Sequence, residues 1–246
     1  MDRIIYTAMT GASQVFSQQA AMAHNMANAT TTGYRAEMHS FRAVPVEGPG
    51  LPTRAFVVDA SVMNDFTPGT LQQTDRTLDV AVQGQGLIAL ALPDGSEAYT
   101  RNGSLDVSPN GVLQTRNGIP VQGDGGLITI PPDIEIAIAN DGTISGIPRF
   151  GTPNTTNIIG RIKLVNPPEH ALDRGDDGLF RLHGGMPADA DPNTSLVSGY
   201  LEGSNVNMAS EMVAMISLAR QFEMQMKVLK TADENDQAAS KLLSLT

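Results

Sequence analysis

The chain has 246 residues, 41% of them hydrophobic and 17% charged, with a formal net charge of -10 from 26 acidic and 16 basic side chains. That length and apolar content fit a folded protein of one large or two modest domains, and the acidic balance without any Trp removes the basic, aromatic footprint of a nucleic-acid binder. With no Cys there is no disulfide, thiolate metal site or cysteine nucleophile.

The opening Met1-Asp2-Arg3-Ile4-Ile5-Tyr6-Thr7 turns polar too soon for a leader peptide, and no apolar run approaches the roughly 20 residues of a membrane span. Neither a cleaved signal nor membrane insertion is expected, and composition alone points to the cytosol. From Ile5 onward Ala8, Ala12, Val15, Met22 and Met26 recur at alternating spacings of three and four, with Gln19 in the gap, which is a coiled-coil seam. The spacing predicts a helix over about residues 3–28, capped by Asp2 and stopped by Ala29-Thr30-Thr31-Thr32-Gly33. Residues 44–70, with Pro45, Pro49, Pro52 and Pro68, read as extended and irregular.

The period then changes to two. Leu78, Val80 and Val82 alternate with Asp79, Ala81 and Gln83, and Ile134, Ile136 and Ile138 alternate with Glu135, Ala137 and Ala139, the pattern of strands. Asp94-Gly95, Asn110-Gly111, Asn117-Gly118, Asp124-Gly125 and Asp141-Gly142 are hairpin turn signals, so the middle reads as antiparallel β. Glu97, Tyr99 and Arg101 alternate with Ala98 and Thr100 and read as one exposed strand face. A second irregular stretch at 184–199 leads to Met208, Met212, Met215, Ala219, Phe222, Met226 and Leu229, again spaced by four and three. This predicts a helix over about 207–242, on the order of 50 Å long, with Asn205 or Asn207 as its cap.

The expected fold class is therefore α+β, with N- and C-terminal helices forming a discontinuous coiled-coil domain around an inserted antiparallel, mainly-β domain. Its expected parts are 1–36 with 200–246 as the helical domain, 37–70 as an extended connector, 71–183 as the β domain and 184–199 as a connector. A two-helix hairpin leaves apolar surface wet, and a head-to-tail contact with further copies that does not close into a ring makes a helical filament. The alternative is that both helices fold back on the β domain as ordinary core.

Chemistry is hard to find. His24, His39, His170 and His183 have no metal-ligand or triad-like local spacing. Gln83-Gly84-Gln85-Gly86 lacks the third glycine and following helix of a dinucleotide loop, and His183-Gly184-Gly185 has no nucleophile elbow to serve. Asp173-Arg174-Gly175-Asp176-Asp177-Gly178 gathers carboxylates, a weak calcium signal that lacks the EF-hand register. The methionines of the last helix fit packing better than soft-metal ligation. No enzyme, cofactor, metal or small-molecule substrate is expected.

Specific strings add a resemblance. His24-Asn25-Met26-Ala27-Asn28, followed by Thr31, Gly33 and Tyr34, resembles the N-terminal signature of flagellar rod and hook proteins: Asn-Asn-Leu-Ala-Asn, two free positions, Thr, one free position, Gly, then Phe or Tyr. His24 stands for the first Asn and Met26 for the Leu. Leu201, Glu202, Ser204, Asn205, Val206, Glu211 and Met212 look like the C-terminal block of the same family, and Leu78 to Gly86 with Tyr99 to Ser104 look like its β motifs. Within the family, the opening Ile5-Tyr6-Thr7-Ala8-Met9 and the string Ala43-Val44-Pro45-Val46-Glu47-Gly48 look most like the proximal-rod member, with the distal-rod member next.

The resemblance implies a motility protein exported without a cleaved signal through the flagellar type III export apparatus. It implies self-assembly in the periplasm, with other copies and other rod subunits, into the basal-body rod. The two terminal seams would then be the assembly interface. The rival readings are a free-standing adaptor whose helices capture another partner, and a calcium-dependent or carbohydrate-active enzyme using Asp173 to Asp177.

Overall fold

The computed structural model describes residues 3–45, 55–148 and 157–243, and the expected Asp2 cap lies outside them. The class is α+β, with a helix at each end and strands between. Two compact units emerge, the first drawn from Met1–Ala29, Ala36–Asp65 and Val206–Thr246, the second from Thr30–Arg35 and Phe66–Asn205.

In the first unit α1 spans Arg3–Ala27 and α2 spans Met208–Leu243, each within a residue of the span expected from periodicity. Asn207 caps α2, its Oδ1 accepting the amides of Ala209 at 3.1 Å and Ser210 at 3.2 Å, which satisfies donors the first turn would otherwise leave open. The two helices pack against each other, and an antiparallel hairpin of Glu37–Pro45 with Ala55–Asn64 packs on α1. The stretch read as an extended connector over 37–70 thus carries two paired strands. Irregular backbone is found at 65–70, around Pro68, while Pro45 is the last residue of its strand and Pro49 and Pro52 lie outside the described residues.

The second unit is antiparallel β. Its largest described sheet runs Leu164–Val165, Leu87–Ala91, Glu97–Thr100, Phe180–Leu182, Leu172–Arg174. Alternation along Leu87–Ala91 sends Ile88 and Leu90 into one core with Val80, Leu105, Leu113 and Leu196, and Leu87 and Ala89 into another with Tyr99 and Phe180. A strand covered on both faces explains why its sequence is an unbroken apolar run. Four of the five expected turn glycines hold positive φ, whereas at Asp124-Gly125 the left-handed residue is the next one, Gly126 at 112°.

Two expectations are corrected here. The stretch 184–199, read as a connector, contains a core strand: Ser195–Ser198 pairs with Val80–Gln83 and buries Leu196 completely. Tyr99 and Arg101 are not on an exposed face but 0% and 3% exposed. Tyr99 is closed in by the phenylalanine core, its hydroxyl accepting the Ala188 amide at 2.7 Å and donating to Glu97 Oε2 at 3.1 Å, and burial pushes its pKa up to about 12.

Candidate functional site

The helix pair presents the candidate assembly surface. On α1 the expected seam is the covered face: Ala8, Ala12 and Val15 are buried and Ile5, Met22 and Met26 half-buried. On α2 the expected series divides. Met215, Phe222 and Leu229 are half-buried, while Met208, Met212, Ala219 and Met226 are exposed. The covered face of α2 runs through Glu211, Met215, Leu218, Phe222, Gln225 and Leu229, the same four-three spacing moved partly by one residue. Leu218, the most buried residue of α2 at 7%, is the member sequence reasoning missed.

Beside its apolar residues the covered side of the pair takes up small and polar groups, and the open side carries large apolar ones. Gly11 approaches Gln225 so closely that an added Cβ would stand 3.1 Å from its amide nitrogen, and Gln14 Oε1 and Glu211 Oε2 are buried without a hydrogen-bond partner among the described residues. Outside lie Tyr6, Met9 and Phe16 on α1 at 56–67% exposure, and Met212, Val213, Ile216 and Met224 on α2 at 50–69%. An amphipathic surface helix keeps its large apolar residues to the covered face, whereas α1 and α2 carry them on the open face as well. Apolar stripes of that extent make this face the candidate interface.

The motif residues have a different task. In the first unit Asn25 is 2% exposed and clasps the backbone of Glu37 twice, its Oδ1 accepting the amide at 2.8 Å and its Nδ2 donating to the carbonyl at 2.9 Å, which fixes the turn from α1 into the hairpin. Asn28 Nδ2 donates to the His24 carbonyl at 3.0 Å, satisfying an acceptor of the last helical turn.

In the second unit the segments leading to the two helices are joined. Gly33 donates its amide to the Glu202 carbonyl at 2.8 Å, and with φ of +70° it stands where a Cβ would meet Asn102 N at 2.4 Å. No other residue type fits there. Glu202 is 1% exposed and meets two buried guanidiniums, Arg35 at 2.7 Å and Arg101 at 3.2 Å, while its Oε1 also accepts the Gly69 amide at 2.8 Å. Arg101 further donates to the carbonyls of Val82 and Gly84, and burial, partly offset by Glu202, holds its pKa down to about 10. Next to this cluster Tyr34 is buried beneath the Arg174 guanidinium, 4.3 Å from its ring centroid, and Asn205 donates its amide to the Tyr34 carbonyl and its Nδ2 to Thr67. Thr31 accepts the Tyr34 amide through its carbonyl, and Leu201 pairs with Gln72 in the short ladder of Tyr200–Glu202 with Leu71–Gln73. Ser204 is half-buried at the outgoing end of that ladder, and Val206, the residue at which the first unit resumes, is half-buried too.

Elsewhere the polar groups are taken up by structure. Asp177 holds Arg181 through both carboxylate oxygens, which keeps the carboxyl below the usual range, and Asp173 holds His183, whose other ring nitrogen meets the His170 carbonyl at 3.0 Å. The loop at Gly84 and Gly86 connects two strands, as a strand turn should. Among the described residues no group of three or more His, Asp or Glu could hold a metal ion, and no helix is long and apolar enough to cross a membrane.

A β unit clamped at both of its chain ends, together with a helix pair that carries an open apolar face, defines a structural subunit built for packing against neighbours. Residues 197–242 match the description "Flagellar basal body rod FlgEFG protein C-terminal", and 81–146 match "Flagellar hook protein FlgE/F/G D1 domain". The chain is 49% identical, over all of its own length and all of theirs, to the flagellar basal-body rod protein FlgF of Escherichia coli (strain K12) and of Salmonella typhimurium (strain LT2). It is also 32% identical to the flagellar basal-body rod protein FlgG of Buchnera aphidicola subsp. Schizaphis graminum, over 90% of this chain and 92% of that one. The chain belongs to the flagellar basal-body rod protein family.

Proposed function

We propose that the chain is a proximal-rod subunit that polymerises through α1 and α2 into the shaft linking motor to hook. It is a structural subunit of the flagellar basal body, and its assembly partners are other rod subunits. In this reading the helices form a coiled-coil inner layer in which each subunit's outward stripe is covered by its neighbours. The chain reaches the periplasm by flagellar export without a cleaved signal, and lack of Cys suits passage of an unfolded chain.

The observation that carries this reading is the open apolar face of the helix pair, with Phe16, Ile216 and Met224 more than half exposed although a covered apolar face already lies between the helices. Burying one such side chain fully stabilises by about 1.5–3 kcal/mol, so a neighbour that covers the stripe gains several such increments. The test is a charged substitution, Met212→Lys. Incorporation into basal bodies and motility are expected to be lost while the far-UV circular dichroism of the purified chain is unchanged. Normal motility in that variant would sink the proposal.

A further inference from the structure

The methionines are unevenly placed. Among the described residues Met9, Met22, Met26, Met38, Met63, Met208, Met212, Met215, Met224 and Met226 all fall in the helical unit, and Met186 alone in the β unit. On α2 Met208, Met212, Met224 and Met226 are 42%, 50%, 61% and 48% exposed, which leaves these residues open to an oxidant in solution. Leucine would supply the same apolar area and equal helix propensity without that chemistry.

We propose that these four methionines are an oxidation-sensitive modification site that switches assembly off in the free subunit. The inference rests on the assembly role of the α2 outer face. The oxidant is a two-electron peroxide. The thioether sulfur attacks one peroxide oxygen, an S–O bond forms as the O–O bond breaks, sulfur gives up two electrons and the other oxygen leaves as water. The product sulfoxide is polar and chiral where the thioether was apolar. A neighbour that packs on the exposed sides of α2 then has to desolvate polar groups where it would have met apolar ones. Subunits already assembled keep the same sulfurs covered, so the modification distinguishes free chains from incorporated ones.

Met186 is a built-in control, because it is 73% exposed yet lies outside the helical unit. The experiment treats the purified full-length chain with hydrogen peroxide, maps sulfoxides by peptide mass spectrometry and follows assembly by light scattering and sedimentation. Oxidation of the four α2 methionines is expected to precede that of Met215 and to raise the critical concentration for assembly at least tenfold, with methionine sulfoxide reductase restoring it. In a Met9→Leu background, used because Met9 on the outer face of α1 is itself 56% exposed, a variant carrying Met208→Leu, Met212→Leu, Met224→Leu and Met226→Leu assembles and stays competent after peroxide, whereas Met186→Leu stays as sensitive as the parent chain. Undiminished assembly of the oxidised parent chain overturns the inference, as does equal loss in the four-leucine variant. Failure of the untreated chain to assemble overturns the assembly reading and this inference with it.

Discussion

Glu202→Gln removes one negative charge from a site holding two positive ones. Both guanidiniums are at most 3% exposed, and the carboxamide introduced by this substitution would keep an acceptor for the Gly69 amide while leaving Arg35 and Arg101 uncompensated. Breaking a buried pair in this way costs about 3–5 kcal/mol, a large part of the stability of a domain. Arg35→Met is the informative counterpart. It takes the net charge of the cluster from one positive to zero, leaves the Arg101–Glu202 pair at 3.2 Å intact, and removes Nε and Nη1, which have no hydrogen-bond partner among the described residues. The cost expected of it is less than half that of Glu202→Gln on the same scale of buried pairs. Urea denaturation followed by far-UV circular dichroism measures both, with the slope against urea unchanged if the folded states stay compact. Equal costs for the two substitutions, or a loss below about 1 kcal/mol for Glu202→Gln, would refute the charge argument.

Gly33→Ala combines an αL penalty of about 1–2 kcal/mol with a backbone clash at Asn102, so a larger loss than the penalty alone is expected in the same denaturation assay. Asn207→Ala removes the α2 cap and costs about 1 kcal/mol, read as faster amide exchange at Ala209 and Ser210 with the β unit unchanged. Tyr99 has its pKa raised from 10.0 to about 12, so the folded state holds its proton more tightly than the unfolded one does. Its contribution is therefore present below pH 10 and is lost as pH rises to about 12. Ultraviolet titration of the phenols should show a late ionisation that is missing in Tyr99→Phe, which assigns it.

Sequence by itself determined the ends of this protein. Three-four spacing placed α1 and α2 to within a residue, because a helix repeats its face at short range and every residue of the stripe votes for the same period. Turn dipeptides located most of the hairpins for a similar reason, since a left-handed φ is a local demand. The motif residues Asn25, Gly33 and Glu202 were legible as important, but not what they touch. Tertiary structure alone decided which of two adjacent stripes on α2 faces inward, since Leu218 and Ala219 satisfy the same period and only packing against α1 separates them. It also decided that Ser195–Ser198 is core, that Arg101 is buried, and that Arg35, Arg101 and Glu202 share one charge cluster. Arg35 and Glu202 stand 167 positions apart, and no local pattern records a pairing across that distance. Periodicity reports what each short segment prefers, whereas burial of a charge is a property of the whole chain folded around it.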